Sequence, residues 1–436
     1  MARVLFIAPS AYPLGGVAVW LDYLSKGLPE TGWEPMVGLV AGYWHDVGQY
    51  LRSYPGLPAF AVENPTGSAE GRLRALSTAI MEVEPDVVVG VNIADTYAAC
   101  RRVRRNGSNF RTVMALHGIS ASLVADLRRE AEGIDAVIAT NRLTCRLCVD
   151  RAGKPSKTVF YAPYGVDTGF FGALQHAPSS ETLRIVWVGR LDQGQKRVDT
   201  IPAIVNHLDA LGIDYTLRIV GDGPKRPFLH QKLQSWVETG RVEILGMLSP
   251  HRIGPEVYAD ADVLLVTSSW ETGPIVVWEA MASAVAVVSS RYVGIVLENA
   301  LKHERNCLLF NVGDAREAAH QLARLRDVRL RETLVRGGLQ LVEQRYSVEG
   351  SVRAWGQCLD SLMRLPQKDV SGDIGRPRPA GRLDRWLGVG IAESVRKYFG
   401  VGFRHQAAGG EWPHTAAFGE DEGALFEQAR RLDSSR

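Results

Sequence analysis

The sequence predicts two doubly wound α/β domains, and three observations carry that reading. The chain is 436 residues long, room for two or three domains of about 100 to 200 residues each. Short Val/Ile/Leu runs alternate with longer amphipathic stretches from end to end, the pattern of parallel strands buried beneath crossover helices. Between residues 170 and 182 the text loses its apolar period in FFGALQHAPSSET, and a fresh strand-and-helix series starts at Leu183.

In the first series the spacing predicts strands over residues 3–8, 36–40, 86–91, 112–116, 136–139 and 158–161, with helices between most of them. The second series predicts strands over 183–188, 215–220, 242–245, 263–266, 286–288 and 308–310. Residues 340–364 read as long helical text broken near Tyr346 and Ser347, where Ser347 is placed to cap the last segment. The expected plan is a first domain over 1–172, a second over 183–345, a helix over 346–365 returning to the first domain, and an appended tail over 366–436. Two such domains imply a cleft between them. The tail shifts toward Gly, Pro, Arg and acidic residues, interrupted by an amphipathic stretch over 383–403.

Composition narrows the partners. Apolar residues make up 46% and charged residues 22% of the chain, which excludes disorder, collagen and a disulfide scaffold. Lys plus Arg number 50 against 48 Asp plus Glu, so a net charge of +2 gives no global field for nucleic acid, and any anion must be held locally. The odd, scattered set Cys100, Cys145, Cys148, Cys307 and Cys358 fits free thiols in a reducing cytoplasm. Cys145 and Cys148 form one C-x-x-C with no second ligand pair at finger-like spacing, so they read as thiols on one helix face and no metal site is expected. The first apolar run, 4–8, is far shorter than a secretory leader, and no stretch approaches the roughly 18 to 20 apolar residues that cross a bilayer. A cytoplasmic protein is expected, with attachment to the inner face of a membrane left open.

Three loops hold residues suited to chemistry. PSAYPLGGV, residues 9–17, joins a strand to a helix whose first amides favour an anion, and Gly15 and Gly16 let a ligand approach the backbone. Its spacing is not that of a dinucleotide fingerprint, and on its own a Gly-Gly pair is more often merely a turn. GRLDQGQK places Arg190 and Lys196 at the carboxyl end of the strand 183–188, where a guanidinium and an ammonium can meet a diphosphate. A solvated basic loop is the alternative. The sharper signal is SSWETGPIVVWEAM, in which Glu271 follows the strand 263–266, Pro274 fits the first helical position and Glu279 sits about one turn inside the helix. There the free amides of a helix start and two acceptor carboxylates can hold phosphate and polyol together. The plain reading is a capping Glu271 and a solvated Glu279.

Taken together, these residues resemble family 4 glycosyltransferases of the GT-B fold. The matching pieces are the Gly-Gly loop, Leu116-His117-Gly118, Tyr164-Gly165-Val166-Asp167, GRLDQGQK, IVGDGP at 219–224 and the spaced glutamates, in that family's order over roughly 1–364. The resemblance implies two Rossmann-like domains, the first on the acceptor side and the second holding a nucleotide-diphosphate sugar of UDP or GDP type. It further implies transfer with retention of anomeric configuration, no required metal or other cofactor, and a glycan or lipid-linked acceptor, as in assembly of a surface polysaccharide.

Residue by residue, the resemblance implies that Arg190 and Lys196 bind the donor diphosphate and that Glu279 binds the ribose. Glu271 contacts donor sugar hydroxyls, Gly16 approaches the phosphate, and His117 lies beside the transferred sugar. Asp222, between Gly221 and Gly223, reads as a turn residue. Three departures stand out. The family usually has an aromatic-glycine pair where this chain has Gly273-Pro274, so one expected amide donor is missing and Ile275 and Val276 supply the rest. Ala284 and Ala286 replace an expected glycine and proline, and Tyr164 replaces an asparagine. A donor-binding protein without transfer activity and a nucleotide-sugar epimerase are the competing functions.

Two surface features bear on peripheral membrane contact. Arg101, Arg102, Arg104, Arg105 and Arg111 cluster near one helix end, read either as a patch for anionic lipid headgroups or as a solvated terminus. The tail stretch mixes Trp386, Leu387, Ile391, Tyr398 and Phe399 with Arg and Lys as an interfacial helix does, while its glycines favour packing onto the body.

Overall fold

The computed structural model describes residues 1–10, 15–41, 46–175, 181–370, 381–402 and 421–434. The chain divides into two compact units. The first comprises Met1–Thr140, Thr144–Ala162 and Val352–Leu425; the second comprises Asn141–Leu143, Pro163–Ser351 and Phe426–Arg436.

The first unit is built on seven parallel strands: β1 (Ala2–Pro9), β2 (Trp33–Val40), β3 (Ala59–Val62), β4 (Val87–Val91), β5 (Arg111–Leu116), β6 (Ala136–Ala139) and β7 (Val159–Tyr161). Their spatial order is β3-β2-β1-β4-β5-β6-β7. The strand β3 is absent from the sequence reading, because AFAV is a short edge strand with three of its four residues only partly buried or exposed. The other six lie within a few residues of their expected places. On one face of β1, Leu5 and Ile7 pack with Leu76 and Ile80 of the helix Ala69–Val83. On the other face, Phe6 meets Trp20 and Trp355 edge-on at 6.2 and 6.0 Å. Opposite faces of one strand buried under different helices are what doubly wound means in contact terms.

The second unit carries six parallel strands: β8 (Leu183–Val188), β9 (Tyr215–Val220), β10 (Val242–Gly246), β11 (Val263–Val266), β12 (Ala286–Ser290) and β13 (Leu308–Phe310), in the order β10-β9-β8-β11-β12-β13. Alternate residues again feed two cores. Ile185 and Trp187 pack with Ile204 and Leu322, whereas Val186 and Val188 pack with Val277 and Trp278. From β8 the chain winds outward through β9 and β10, then reverses at β11. The reversal leaves the crevice outside the carboxyl ends of β8 and β11 as the switch point where such sheets bind ligands.

The helices Val328–Arg345 and Val348–Met363 are interrupted where expected. Val166 and Ser347 form a parallel bridge there, and a Cβ on Gly165 would stand 2.6 Å from the Ser347 carbonyl oxygen, so this crossing requires glycine. Among the described residues no helix is long and apolar enough to cross a membrane. The amphipathic tail stretch forms two helices, Arg382–Leu387 and Val389–Phe399, and its final expected residue lies outside the described residues.

The arginine cluster corrects both sequence readings in part: each of the five guanidiniums has a partner within the unit, and Arg105 is the one that stays exposed. Arg101 pairs with Glu130 at 2.5 Å, Arg102 with Glu70 at 2.9 Å and Arg104 with Asp135 at 2.9 Å. Arg105 and Arg111 donate to the carbonyls of Val370 and Leu365. Arg101 and Arg104 are buried, so those charges offer neither a lipid patch nor a solvated end.

Candidate functional site

The carboxyl end of β8 opens into a loop drawn tight by backbone contact. Gly221 has φ 134°, and a Cβ there would lie 1.8 Å from the Gly189 carbonyl oxygen, so only glycine lets the ends of β8 and β9 meet. Asp222 accepts from the Gly223 amide at 2.7 Å and pairs with Arg226 at 3.1 Å, the turn-shaping use its flanking glycines suggest.

Within GRLDQGQK, Asp192 organises the loop. Its Oδ1 accepts from the amides of Gln195 and Lys196 at 2.8 and 3.1 Å, while Oδ2 accepts from Arg190 Nε at 2.9 Å. Two bonds tie this loop to the one after β11: Ser269 N donates to Gln195 O at 2.7 Å and Thr267 Oγ1 to Lys196 O at 2.6 Å. Thus fixed, Lys196 Nζ reaches Glu271 Oε1 at 2.7 Å. Ser268 Oγ donates to the same oxygen at 2.5 Å, and Gln195 Nε2 to Oε2 at 3.4 Å.

Arg190, Lys196 and Glu271 are therefore gathered at the switch point of the sheet. Glu271 is only 4% exposed, and Lys196, Ser268 and Gln195 all donate to it. An ammonium has three donors, so Lys196 can hold Glu271 and still turn toward an anion. The Arg190 side chain is 41% exposed beside Asp192, within reach of a diphosphate arriving from solvent.

Glu279 stands apart from that network. The helix runs Ile275–Ala282, with Pro274 as its N-cap rather than the expected first helical residue, so Ile275 and Val276 occupy the first two positions. Amides at those positions have no partner within a helix and point at whatever lies beyond its start. Glu279 is buried, and its Oε2 faces the Tyr258 hydroxyl at 3.3 Å, a proton that Val276 O also attracts from 3.2 Å. Burial pushes the Glu279 carboxyl up to about 7, against a smaller lowering by that hydrogen bond.

The departures after Glu271 have a physical account. Gly273 adopts φ 130°, and a Cβ there would stand 2.6 Å from the Tyr164 ring. An aromatic side chain at 273 would collide with Tyr164, so the two exceptions to the family pattern occupy one space and fit each other. Ala284 sits at φ 54°, the left-handed conformation for which glycine is the usual choice.

In the first unit, His117 follows β5 and is buried, its ring centroid 4.4 Å from that of Trp20. Burial holds its pKa down at about 3, so the imidazole is neutral. Gly15 is the N-cap of the helix Gly16–Gly27, and residues 11–14 of the Gly-Gly loop lie outside the described residues. Cys145 donates to the Phe160 carbonyl oxygen and Cys148 is buried three residues on, as helix-face thiols would be.

Sequence reasoning missed several supports. Asp192, Gln195 and Ser268 shape the Lys196–Glu271 pair; the only signal was their place within loops already singled out. Asp433, from the C-terminal helix Glu422–Ser434, accepts from Gly294 N at 2.9 Å and Leu297 N at 2.8 Å, and Phe426 packs on Trp270 at 5.8 Å. No local pattern announces contacts between positions so far apart in the chain.

Comparison with known proteins bears on family and fold. Residues 182–327 match the family model described as glycosyl transferases group 1, a span that contains Arg190, Lys196, Glu271 and Glu279. The chain is 24% identical over 306 residues to a subunit of phosphatidylinositol N-acetylglucosaminyltransferase from Arabidopsis thaliana, covering 67% of this chain and 68% of that protein. The fold is similar to that of Anabaena HepE, solved with UDP and glucose, at a TM-score of 0.68 and 20% identity over 84% of this chain and 100% of the other. It is also similar to sucrose-phosphate synthase from Thermosynechococcus elongatus, at a TM-score of 0.67 and 18% identity over 83% and 99% of the two chains. These matches support a group 1 glycosyltransferase with two parallel-sheet, Rossmann-like domains of the GT-B type.

Proposed function

We propose that this chain transfers a sugar from a nucleotide-diphosphate sugar to a glycan or lipid-linked acceptor with retention of anomeric configuration, as a family 4 enzyme would. The observation that carries the reading is the Lys196–Glu271 pair, buttressed by Ser268 and Gln195 and flanked by Arg190, at the carboxyl ends of two adjacent central strands. Arg190, Lys196 and the amides of Ile275 and Val276 would meet the diphosphate. Glu271 would accept hydrogen bonds from donor sugar hydroxyls, and Glu279 from the ribose. Gly15 and Gly16 supply a helix start that can face phosphate, and His117, neutral as it stands, would serve the transferred sugar as a hydrogen-bonding group rather than as an acid.

In the reaction the bond from the anomeric carbon to the diphosphate oxygen breaks as the bond to the acceptor oxygen forms. The acceptor's proton passes to the departing phosphate. Positive charge grows on the sugar carbon and negative charge on the leaving group, so fixed cations and amides beside the diphosphate act chiefly in the transition state. The reading needs no metal, and turnover should survive a chelator.

A panel of nucleotide sugars, UDP donors first and GDP donors next, tests the reading by thermal shift and then by turnover on glycan and lipid-linked acceptors. Stabilisation by one donor followed by product with the retained anomer supports it. Saturable binding without turnover would favour the binding protein, for which the missing amide at Pro274 is the motive. Conversion of the donor with no acceptor present would favour the epimerase.

A further inference from the structure

The tail helices Arg382–Leu387 and Val389–Phe399 are mounted with their polar side inward. Glu393 accepts from Thr66 Oγ1 at 2.6 Å and from Ser68 Oγ, and Arg74 donates to Gly390 O at 2.8 Å. Arg396 pairs with Asp384 at 2.6 Å, and the Asp384 carboxylate also takes the Gly381 amide. Asp384, Glu393 and Arg396 are all buried.

What faces solvent is the reverse of an ordinary surface. Trp386 is 87% exposed, Tyr398 85%, Phe399 69% and Ile391 62%. A soluble monomer does not ordinarily present so many large apolar groups on one short segment. Leu383, Val395, Phe399 and Val401 line an apolar depression between the helices. The exposed charges of this segment are Arg382, Arg385 and Lys397, because both its acids are turned inward.

We propose that this helical pair is a docking surface for an anionic lipid bilayer. Charge complementarity selects that occupant. Aromatic rings with polar tips and aliphatic side chains enter the headgroup boundary, while a rim bearing only cations meets lipid phosphates. The Glu393 and Gly390 contacts fix the pair to the body and the Arg396–Asp384 pair ties its two helices together, so membrane binding orients the first unit rather than a loose tether. A second copy of the chain is the other occupant such an apolar face could take, and cations alone on the rim would repel their own image. The inference does not depend on the transfer reading: it concerns where the protein sits, and donor binding reports on the other question.

The full chain, mixed with vesicles of phosphatidylcholine plus phosphatidylglycerol or of phosphatidylcholine alone, tests this by co-sedimentation. Binding to the anionic vesicles is expected, weaker by on the order of a hundredfold without anionic lipid, since each of three cations near a charged bilayer is worth about fivefold. Trp386→Glu with Ile391→Glu should lose vesicle binding, and Arg385→Glu with Lys397→Glu should lose the preference for anionic lipid. Both variants should keep the wild-type unfolding midpoint and donor-induced thermal shift. Vesicle binding unchanged by either pair overturns the proposal. So does a chain that ignores vesicles, or one that runs as a dimer in light scattering until Trp386→Glu separates it.

Discussion

The two units share one plan, a parallel sheet wound outward from a central strand, yet the ends of their strands are furnished differently. In the second unit the loops after β8 and β11 are knitted by polar contacts: Asp192 on two amides, Lys196 on Glu271, Ser268 on the same carboxylate. In the first unit the end of β5 is buried and aromatic, with His117 against Trp20 and its imidazole held neutral. Topology alone makes both edges ligand-binding edges. Chemistry separates them: a charged, hydrogen-bonded edge suits a diphosphate, and an aromatic, uncharged edge suits a sugar ring or no ligand at all.

The largest test of that contrast removes the ion pair. Glu271→Gln keeps the shape and removes the charge, and turnover should fall on the order of a hundredfold or more, as when one group acting on transition-state charge is lost. Lys196→Ala should cost as much in turnover and in addition about 3 kcal/mol of stability, because it strands a buried carboxylate. Combining it with Glu271→Gln should restore most of the stability and none of the activity. Steady-state rates and urea unfolding of the three variants check this, and a fully active Glu271→Gln enzyme would remove the pair from the mechanism.

Glu279 and His117 sharpen the comparison through pH. Burial raises Glu279 from an ordinary 4.5 to about 7, so between those values the folded chain holds a proton that the unfolded chain has lost. Stability must then fall as pH rises through that window, by about 3 kcal/mol in all. Glu279→Gln should flatten the profile and leave the variant the more stable protein above pH 7. If ribose hydroxyls donate to this carboxylate they favour its ionised form, and donor binding near pH 7 should release a proton, visible as a buffer-dependent heat in calorimetry. No release would separate Glu279 from the donor. His117, already neutral, should add no titration between pH 5 and 8, and its imidazole resonances should stay fixed over that range.

A smaller effect is expected where the C-terminal helix meets the second unit. Asp433→Ala removes three charge-assisted bonds, to the amides of Gly294, Leu297 and, more weakly, Val296, and should cost about 1 to 2 kcal/mol in urea unfolding. A cost near zero would mean that this helix end is not held in solution.

The same contrast explains what could be read in advance. Buried parallel strands announce themselves as continuous apolar runs, so twelve strands of the two sheets were legible, while the half-exposed edge strand β3 was not. The gathering of Arg190, Lys196 and Glu271 was legible too, because switch-point topology forces the loops after β8 and β11 together. Charge state was not. Five arginines in one stretch look like a basic patch until Glu70, Glu130 and Asp135 take three of them, and those acids come from elements that no local pattern joins to the cluster. The tail failed in the opposite sense, since its amphipathicity was plain but which side faces inward is a tertiary fact.

The smallest prediction concerns a residue that breaks a local rule. Ala284 closes the helix Ile275–Ala282 at φ 54°, a conformation that costs an L-residue about 1 kcal/mol or somewhat more. It is exposed, and its amide already bonds the Met281 carbonyl, so glycine could take its place without loss of a contact. Glycine also frees the unfolded chain, which returns roughly 0.4 to 1 kcal/mol of that gain. Ala284→Gly should therefore stabilise the protein by a few tenths of a kcal/mol at most, leaving Glu279 and donor binding unchanged. A clear destabilisation in the same urea assay would mean that the turn is not left-handed in solution. The start of the next strand, β12, would then need a different support.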